Sequence, residues 1–218
     1  PSVVGAFEAR FAKSKERRAA YAELRDVEPF TRCGTRIQVM MNAGLRDDLT
    51  TLQLVGADGI GLFRTEFQFL VSATLPQREK QTRFYKDVLE AAGDKPVVFR
   101  TVDIGGDKAV PYLSNESSLE DENPAMGWRA LRLALEREGL FKAQARALIE
   151  ASGGKTLRVM FPMVSEPWEF DAARKVFEQQ LDFLRQHKRI MLPEAIEYGA
   201  MIEVPSLVEV LDQLLPKV

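Results

Sequence analysis

The chain has 218 residues, 45% hydrophobic and 28% charged, and its 30 basic and 32 acidic side chains leave a formal charge of −2. That length suits one domain, or one domain with an appendage, and is short for a complete (β/α)8 barrel. Near charge balance removes the electrostatic footprint of a general nucleic-acid binder, no apolar run approaches the ~20 residues of a bilayer span, and a single cysteine, Cys33, excludes an internal disulfide or a Cys-rich zinc site.

The expectation is a soluble, cytoplasmic protein with no nucleic-acid and no membrane partner. Pro1 in place of Met marks it as a candidate piece of a longer polypeptide. Val3 to Asp26 reads as a helix, with Ala6, Phe7, Ala9, Phe11, Ala19, Ala20, Tyr21 and Leu24 at loose helical spacing. Lys13, Lys15, Glu16, Arg17 and Arg18 form its solvated face. Glu28 to Gly34 breaks the pattern, so residues 1–34 are assigned as a helical linker and 35–218 as the main body.

From Thr35 short β-rich runs alternate with helical patterns. The runs are Ile37 to Met41, Gly59 to Phe63, Val97 to Val102, Leu157 to Phe161 and Tyr198 to Val204. Helices are predicted over Asp48 to Val55, Pro76 to Ala92, Gly127 to Glu136, Lys142 to Glu150, Pro167 to Arg185 and Ser206 to Leu215. Such alternation implies an α/β fold of parallel strands with helical crossovers, either doubly wound or part of a barrel.

Charged residues stand at or just beyond the C-terminal ends of four of these strands. Arg46 follows the first, Arg64 the second, Arg100 lies toward the end of the third and Glu203 lies in the fifth. Ligands of α/β sheets and barrels bind at that end. Any one such residue is commonly half of a structural ion pair. Four at matching positions point instead to a site. Three guanidiniums in a confined space repel one another unless an anion accepts their paired hydrogen bonds, which suits phosphate or carboxylate. Glu203 is then placed to hold a hard divalent ion such as Mg²⁺, which often takes one or two carboxylates and fills its shell from substrate and water. The expectation is that Arg46, Arg64, Arg100 and Glu203 surround one hollow and receive a small phosphorylated acid with a metal.

Longer stretches resemble a known family. Gly59-Ile60-Gly61-Leu62-Phe63-Arg64-Thr65-Glu66-Phe67 resembles the GxGLxRTEF segment of the phosphoenolpyruvate-utilising enzymes. Arg100 to Lys108 (RTVDIGGDK), Glu122 to Arg132 (ENPAMGWRALR), Met160 to Met163 and Met201 to Pro205 are similar to successive motifs of the phosphoenolpyruvate–protein phosphotransferase branch, Enzyme I. The likeness covers essentially the whole chain. It implies an incomplete (β/α)8 TIM barrel of about five strands, preceded by the helical linker that joins the family's phosphohistidine domain to its barrel.

By that resemblance, Arg46 and Arg64 contact the phosphate of phosphoenolpyruvate, Arg100 is a third substrate-binding arginine, and Glu203 is a Mg²⁺ ligand. Asp103 and Lys108 are supporting partners, the glycines of the DIGGDK segment allow a tight turn, and Asn123 and Arg129 carry no assigned contact. Cys33 does not match the family's proton-donating cysteine and reads as an incidental thiol, and His187 as a surface-loop residue. The phospho-accepting histidine, the Asn-Asp metal ligand and the Cys-Gly motif have no counterpart in the chain, so no catalytic residue is assigned to it. The chain alone is expected to be inactive, to bind phosphoenolpyruvate weakly, and to oligomerise or distort at its two outer strands. The parent would be a homodimer passing phosphate to an HPr-type carrier, with a lean toward the nitrogen-related paralogue. The alternatives are a fragment of a pyruvate phosphate dikinase or phosphoenolpyruvate synthase, and a regulatory module on the same fold.

Overall fold

The structure, a computed structural model, describes residues 3–72, 74–105, 127–187 and 189–218. Gly106, Lys108 and Asn123, together with the first part of the ENPAMGWRALR motif, lie outside the described residues.

Helix α1 (Val3–Glu23) opens the chain and is exposed along almost its whole length, with Phe7 and Phe11 stacked on each other at 6.3 Å. The body then alternates strands and helices: β1 (Met40–Ala43), α2 (Arg46–Leu54), β2 (Gly59–Arg64), α3 (Glu66–Leu70), α4 (Arg78–Ala92) and β3 (Val97–Arg100). It continues through α5 (Ala130–Glu136), α6 (Glu138–Ala151), β4 (Thr156–Phe161), α7 (Pro167–His187) and β5 (Ala195–Ala200). Two short helices, α8 (Pro205–Val208) and α9 (Leu211–Leu214), and a 3₁₀ turn (Leu215–Lys217) close it.

All strand pairs are parallel and the order is β1-β2-β3-β4-β5. A doubly wound sheet reverses direction at a switch point; strictly sequential order is the order of consecutive units of a (β/α)8 barrel. Five such units stand among the described residues. Alternation along each strand sorts the side chains onto two faces. Val97, Phe99, Leu157, Val159 and Phe161 pack outward under the helices, and Arg100, Arg158 and Met160 occupy the opposite face. The helices answer with apolar stripes: Phe84, Tyr85, Val88 and Leu89 on α4, Phe141, Ala145 and Leu148 on α6, Phe170, Ala173, Phe177 and Leu184 on α7. Edge-to-face rings knit the layers, with Phe161 to Phe170 at 5.5 Å and Phe63 to Phe99 at 5.8 Å.

Boundaries move for identifiable reasons. The fifth strand occupies Ala195–Ala200, not Tyr198 to Val204. Its partner β4 ends at Phe161, and Met163 beyond it takes a left-handed φ of 56°, so after Met201 N–H reaches Phe161 O no strand remains to pair with. The first strand starts at Met40 because Val39 is tied to Asp58: its N–H donates to the Asp58 carboxylate at 2.8 Å and its carbonyl accepts the Asp58 N–H at 2.9 Å. Helix α2 starts two residues earlier than expected. The Asp48 carboxylate reaches back to the N–H groups of Gly44 and Leu45, both at 2.9 Å, and satisfies the turn that precedes the helix.

Candidate functional site at the strand ends

Register places Arg64, the last residue of β2, opposite Arg100, the last of β3. Two guanidiniums thus project from neighbouring strand ends, and the chain provides a carboxylate between them. Glu66, the first residue of α3, is 1% exposed, and its Oε1 accepts both Arg64 Nε at 3.2 Å and Arg100 Nη2. Arg100 Nη2 lies 3.3 Å from Asp103, itself 4% exposed, and Asp103 accepts Arg129 Nε at 3.1 Å and Arg129 Nη2 at 2.9 Å. The result is an alternating row, Arg64–Glu66–Arg100–Asp103–Arg129. A buried carboxylate is tolerated only where cations and hydrogen bonds replace its water, and here each one has two guanidiniums.

Within the row three cations alternate with two anions. The row keeps a donor: Arg100 Nε is buried with no hydrogen-bond partner among the described residues. The exposed end of the row is Arg64, whose side chain is 37% accessible and lies over the Phe67 ring at 5.1 Å from its centroid. Gly44 makes that seat available, since a Cβ there would fall 2.4 Å from the Phe67 ring.

The other two predicted site residues sit differently. Arg46 opens α2, is exposed, pairs with Asp87 on α4 and lies 5.5 Å from the Phe84 ring centroid. It borders an open cleft of about 450 Å³ shared with Gln68, Lys80 and Arg83. Glu203 lies beyond β5, exposed, with Oε1 accepting the Met163 N–H at 2.8 Å. Arg100 Nη1 reaches Met201 Sδ at 3.7 Å, so the end of β3 approaches the segment that carries Glu203. The structure therefore joins Arg64 and Arg100 directly, brings Arg100 to the neighbourhood of Glu203, and turns Arg46 toward α4.

For a metal, Glu203 offers one carboxylate, and among the described residues no group of three or more His, Cys, Asp or Glu side chains gathers anywhere. A single hard oxygen ligand fits an ion that takes its remaining ligands from substrate, water and other protein segments, as Mg²⁺ does. Cys33 is exposed in a turn where the Thr31 and Thr35 hydroxyls hold its thiol below the usual pKa, Thr31 contributing most. His187 closes α7 instead of sitting in a loop; it is exposed, stacked on Phe183 at 4.5 Å with Nδ1 at 2.9 Å from the Phe183 carbonyl. Among the described residues no helix is long and apolar enough to cross a membrane.

Sequence reasoning missed the part played by Glu66 and the pairing of Asp103 with Arg129. The signal was present as a carboxylate two positions after one rim arginine and another three positions after the next.

Comparison with known proteins gives the family. Residues 18–218 match the family of the PEP-utilising enzymes, PEP-binding domain. The chain is 40% identical over 203 residues to the phosphoenolpyruvate-protein phosphotransferase of Lactococcus lactis subsp. cremoris, covering 92% of the chain and 35% of that protein. It is 37% identical over 219 residues to the Geobacillus stearothermophilus protein of the same name, covering 100% of the chain and 37% of the relative, and 38% identical over 214 residues to that of Enterococcus faecalis. The chain spans little more than a third of the length of these relatives. With the order of its strands, the arginine row at their C-terminal ends and a match over nearly its entire length, the chain belongs to the phosphoenolpyruvate-utilising enzymes, within their phosphoenolpyruvate-binding domain.

Proposed function

We propose that this chain supplies the substrate cradle of a phosphoenolpyruvate–protein phosphotransferase, an Enzyme I of the phosphotransferase system. The observation that carries the reading is the Arg64–Glu66–Arg100 arrangement, which holds two guanidiniums side by side at the strand ends and leaves the buried Arg100 Nε as a donor to spare. Arg64 and Arg100 bind the phosphoryl oxygens. Arg46 exchanges its exposed partner Asp87 for the same phosphate. Glu203 holds Mg²⁺, which when bound neutralises charge on the phosphoryl group.

Phosphoryl transfer is governed by positioning and by stabilisation of charge on the equatorial oxygens, and fixed guanidiniums supply both. A histidine nitrogen on another domain of the full-length protein attacks phosphorus, the bond from phosphorus to the enol oxygen breaks, and enolpyruvate departs to be protonated. The phosphohistidine then passes its group to an HPr-type carrier. In this reading residues 1–34 join that domain to the barrel portion at 35–218 and the parent is a cytoplasmic homodimer; a sensory GAF domain in the full-length protein would assign it to the nitrogen-related branch.

The test is steady-state kinetics of the full-length polypeptide. Arg64→Ala and Arg100→Ala should each lower kcat/KM for phosphoenolpyruvate by about 10²–10³-fold, the usual loss on deleting a charge-stabilising donor. The isolated 218-residue chain should show no micromolar binding by isothermal titration with Mg²⁺ and phosphoenolpyruvate. Wild-type kinetics in both variants would overturn the assignment.

A further inference from the structure

The apolar stripe of α6 is interrupted at its middle by Gln144, which is 0% exposed. A buried amide is unfavourable unless its hydrogen-bonding groups are matched, and a leucine of similar volume would pack there with no such requirement. Its partners explain why the amide is there. Gln144 Oε1 accepts the Val102 N–H at 2.9 Å, and Nε2 donates to Thr65 Oγ1 at 3.0 Å and to the Tyr85 hydroxyl at 3.2 Å. Thr65 Oγ1 donates in turn to the carbonyl oxygen of Arg100 at 2.8 Å. A backbone N–H can only donate, so Val102 fixes which end of the amide faces it. The far side is equally ordered: Tyr85, whose burial raises its pKa and keeps it protonated, donates to Gln81 Oε1 at 3.3 Å, and Gln81 Nε2 donates to Pro76 O at 2.8 Å.

The location matters more than the count. Ladder pairing between β2 and β3 stops at Arg64 and Arg100. Arg64 and Arg100 are thus the last pair the ladder holds opposite each other, and no further ladder rung secures that end of the two strands. Thr65 follows Arg64 directly, and Val102 lies two residues past Arg100. The Thr65 and Gln144 side chains thus stand in for the missing rung.

We infer that Gln144 is a positioning residue for the anion-binding rim: from the helix layer, through Thr65 and Val102, it fixes the spacing of Arg64 and Arg100. It touches no reacting atom. The inference rests on the reading of that rim as the phosphoenolpyruvate site, and a displacement of about 1 Å at such a site carries a penalty of order 10²-fold.

Three variants of the full-length polypeptide test it. Gln144→Leu should raise KM for phosphoenolpyruvate about tenfold while far-UV circular dichroism stays native. Gln144→Glu keeps the shape; when its buried carboxyl is protonated it retains an acceptor for Val102 and a donor for Thr65. Its KM relative to wild type should therefore fall toward unity between pH 8.5 and pH 6. Tyr85→Phe removes a partner on the side away from the rim and should lower the melting temperature with KM within twofold of wild type. In parallel, the arginine Nε–H NMR resonances of Arg64 and Arg100 should shift in Gln144→Leu and stay in place in Tyr85→Phe.

A Gln144→Leu protein with wild-type KM and unmoved arginine resonances overturns the inference, as does a Tyr85→Phe protein impaired to the same degree. If Gln144→Leu does not fold, the pH course of Gln144→Glu decides: a flat ratio overturns it. The NMR readout needs no substrate, so it separates failure of this inference from failure of the phosphoenolpyruvate reading, which Arg64→Ala and Arg100→Ala test directly.

Discussion

The ends of β2 and β3 hold their charges in one way, and the segments after β1 and β5 in another. At the centre, Glu66 and Arg100 are 1% and 6% exposed and pair with each other, with Arg100 also beside the buried Asp103. At the flanks, the Arg46 side chain is 63% exposed and rests on Asp87, itself 42% exposed, and the exposed Glu203 accepts the Met163 N–H. Buried pairs are costly to assemble and severe to break; exposed pairs are worth little and exchange freely. The comparison teaches that two arginines are arranged before any ligand arrives, whereas Arg46 is held loosely enough to change partners.

The largest effect should come from the centre. Glu66→Gln removes the negative charge shared by two guanidiniums and leaves Arg100 enclosed, so urea denaturation should show a loss of roughly 3–5 kcal/mol. A loss below about 1 kcal/mol would erase the distinction between centre and flank. At the flank, a double-mutant cycle on Arg46 and Asp87 should give a coupling of about 0.2–1 kcal/mol. Asp87→Asn, which releases Arg46, should leave stability nearly unchanged and tighten phosphoenolpyruvate binding in the full-length protein. Weaker binding would mean that Asp87 holds Arg46 in its working position.

The smallest effect concerns how the approach to β1 is fastened. The Asp58 carboxyl is held below the usual carboxylate range, first by the Arg36 guanidinium at 2.8 Å and then by the Val39 N–H. A depressed folded-state pKa means that the tie contributes fully above the ordinary carboxylate value near 4 and fades as pH falls through the lower folded value. The Val39 amide shift should follow that titration, and Asp58→Asn should abolish it. A Val39 shift that still titrates in Asp58→Asn would assign the fastening to another group.

Much of this arrangement was legible in the sequence, and the limits have physical causes. Short β-rich runs announced all five strands; β2 to β5 carry β-branched or aromatic residues such as Ile60, Phe99, Val159 and Tyr198, whereas β1 itself (Met40–Ala43) has none. Met201-Ile202-Glu203-Val204 was read as strand because it is as apolar as one; nothing local reports that Pro162 and Met163 have already withdrawn the neighbouring strand. Helix α3, five residues long, is too short to show a period. Arg64 and Arg100 were identified by their place at strand ends. The direction of Arg46 was not readable, since it depends on Asp87, 41 positions away on another helix. Gln144 was hidden for the same reason: its partners lie 79 and 42 positions upstream.

A carboxylate shared between guanidiniums of adjacent units makes three codons depend on one another. Substituting residue 66 removes an anion from beside both 64 and 100, and substituting residue 100 removes a cation from beside 66. Neutral drift through single changes is thereby closed to this part of the gene, and descendants should either keep all three letters or exchange them in concert.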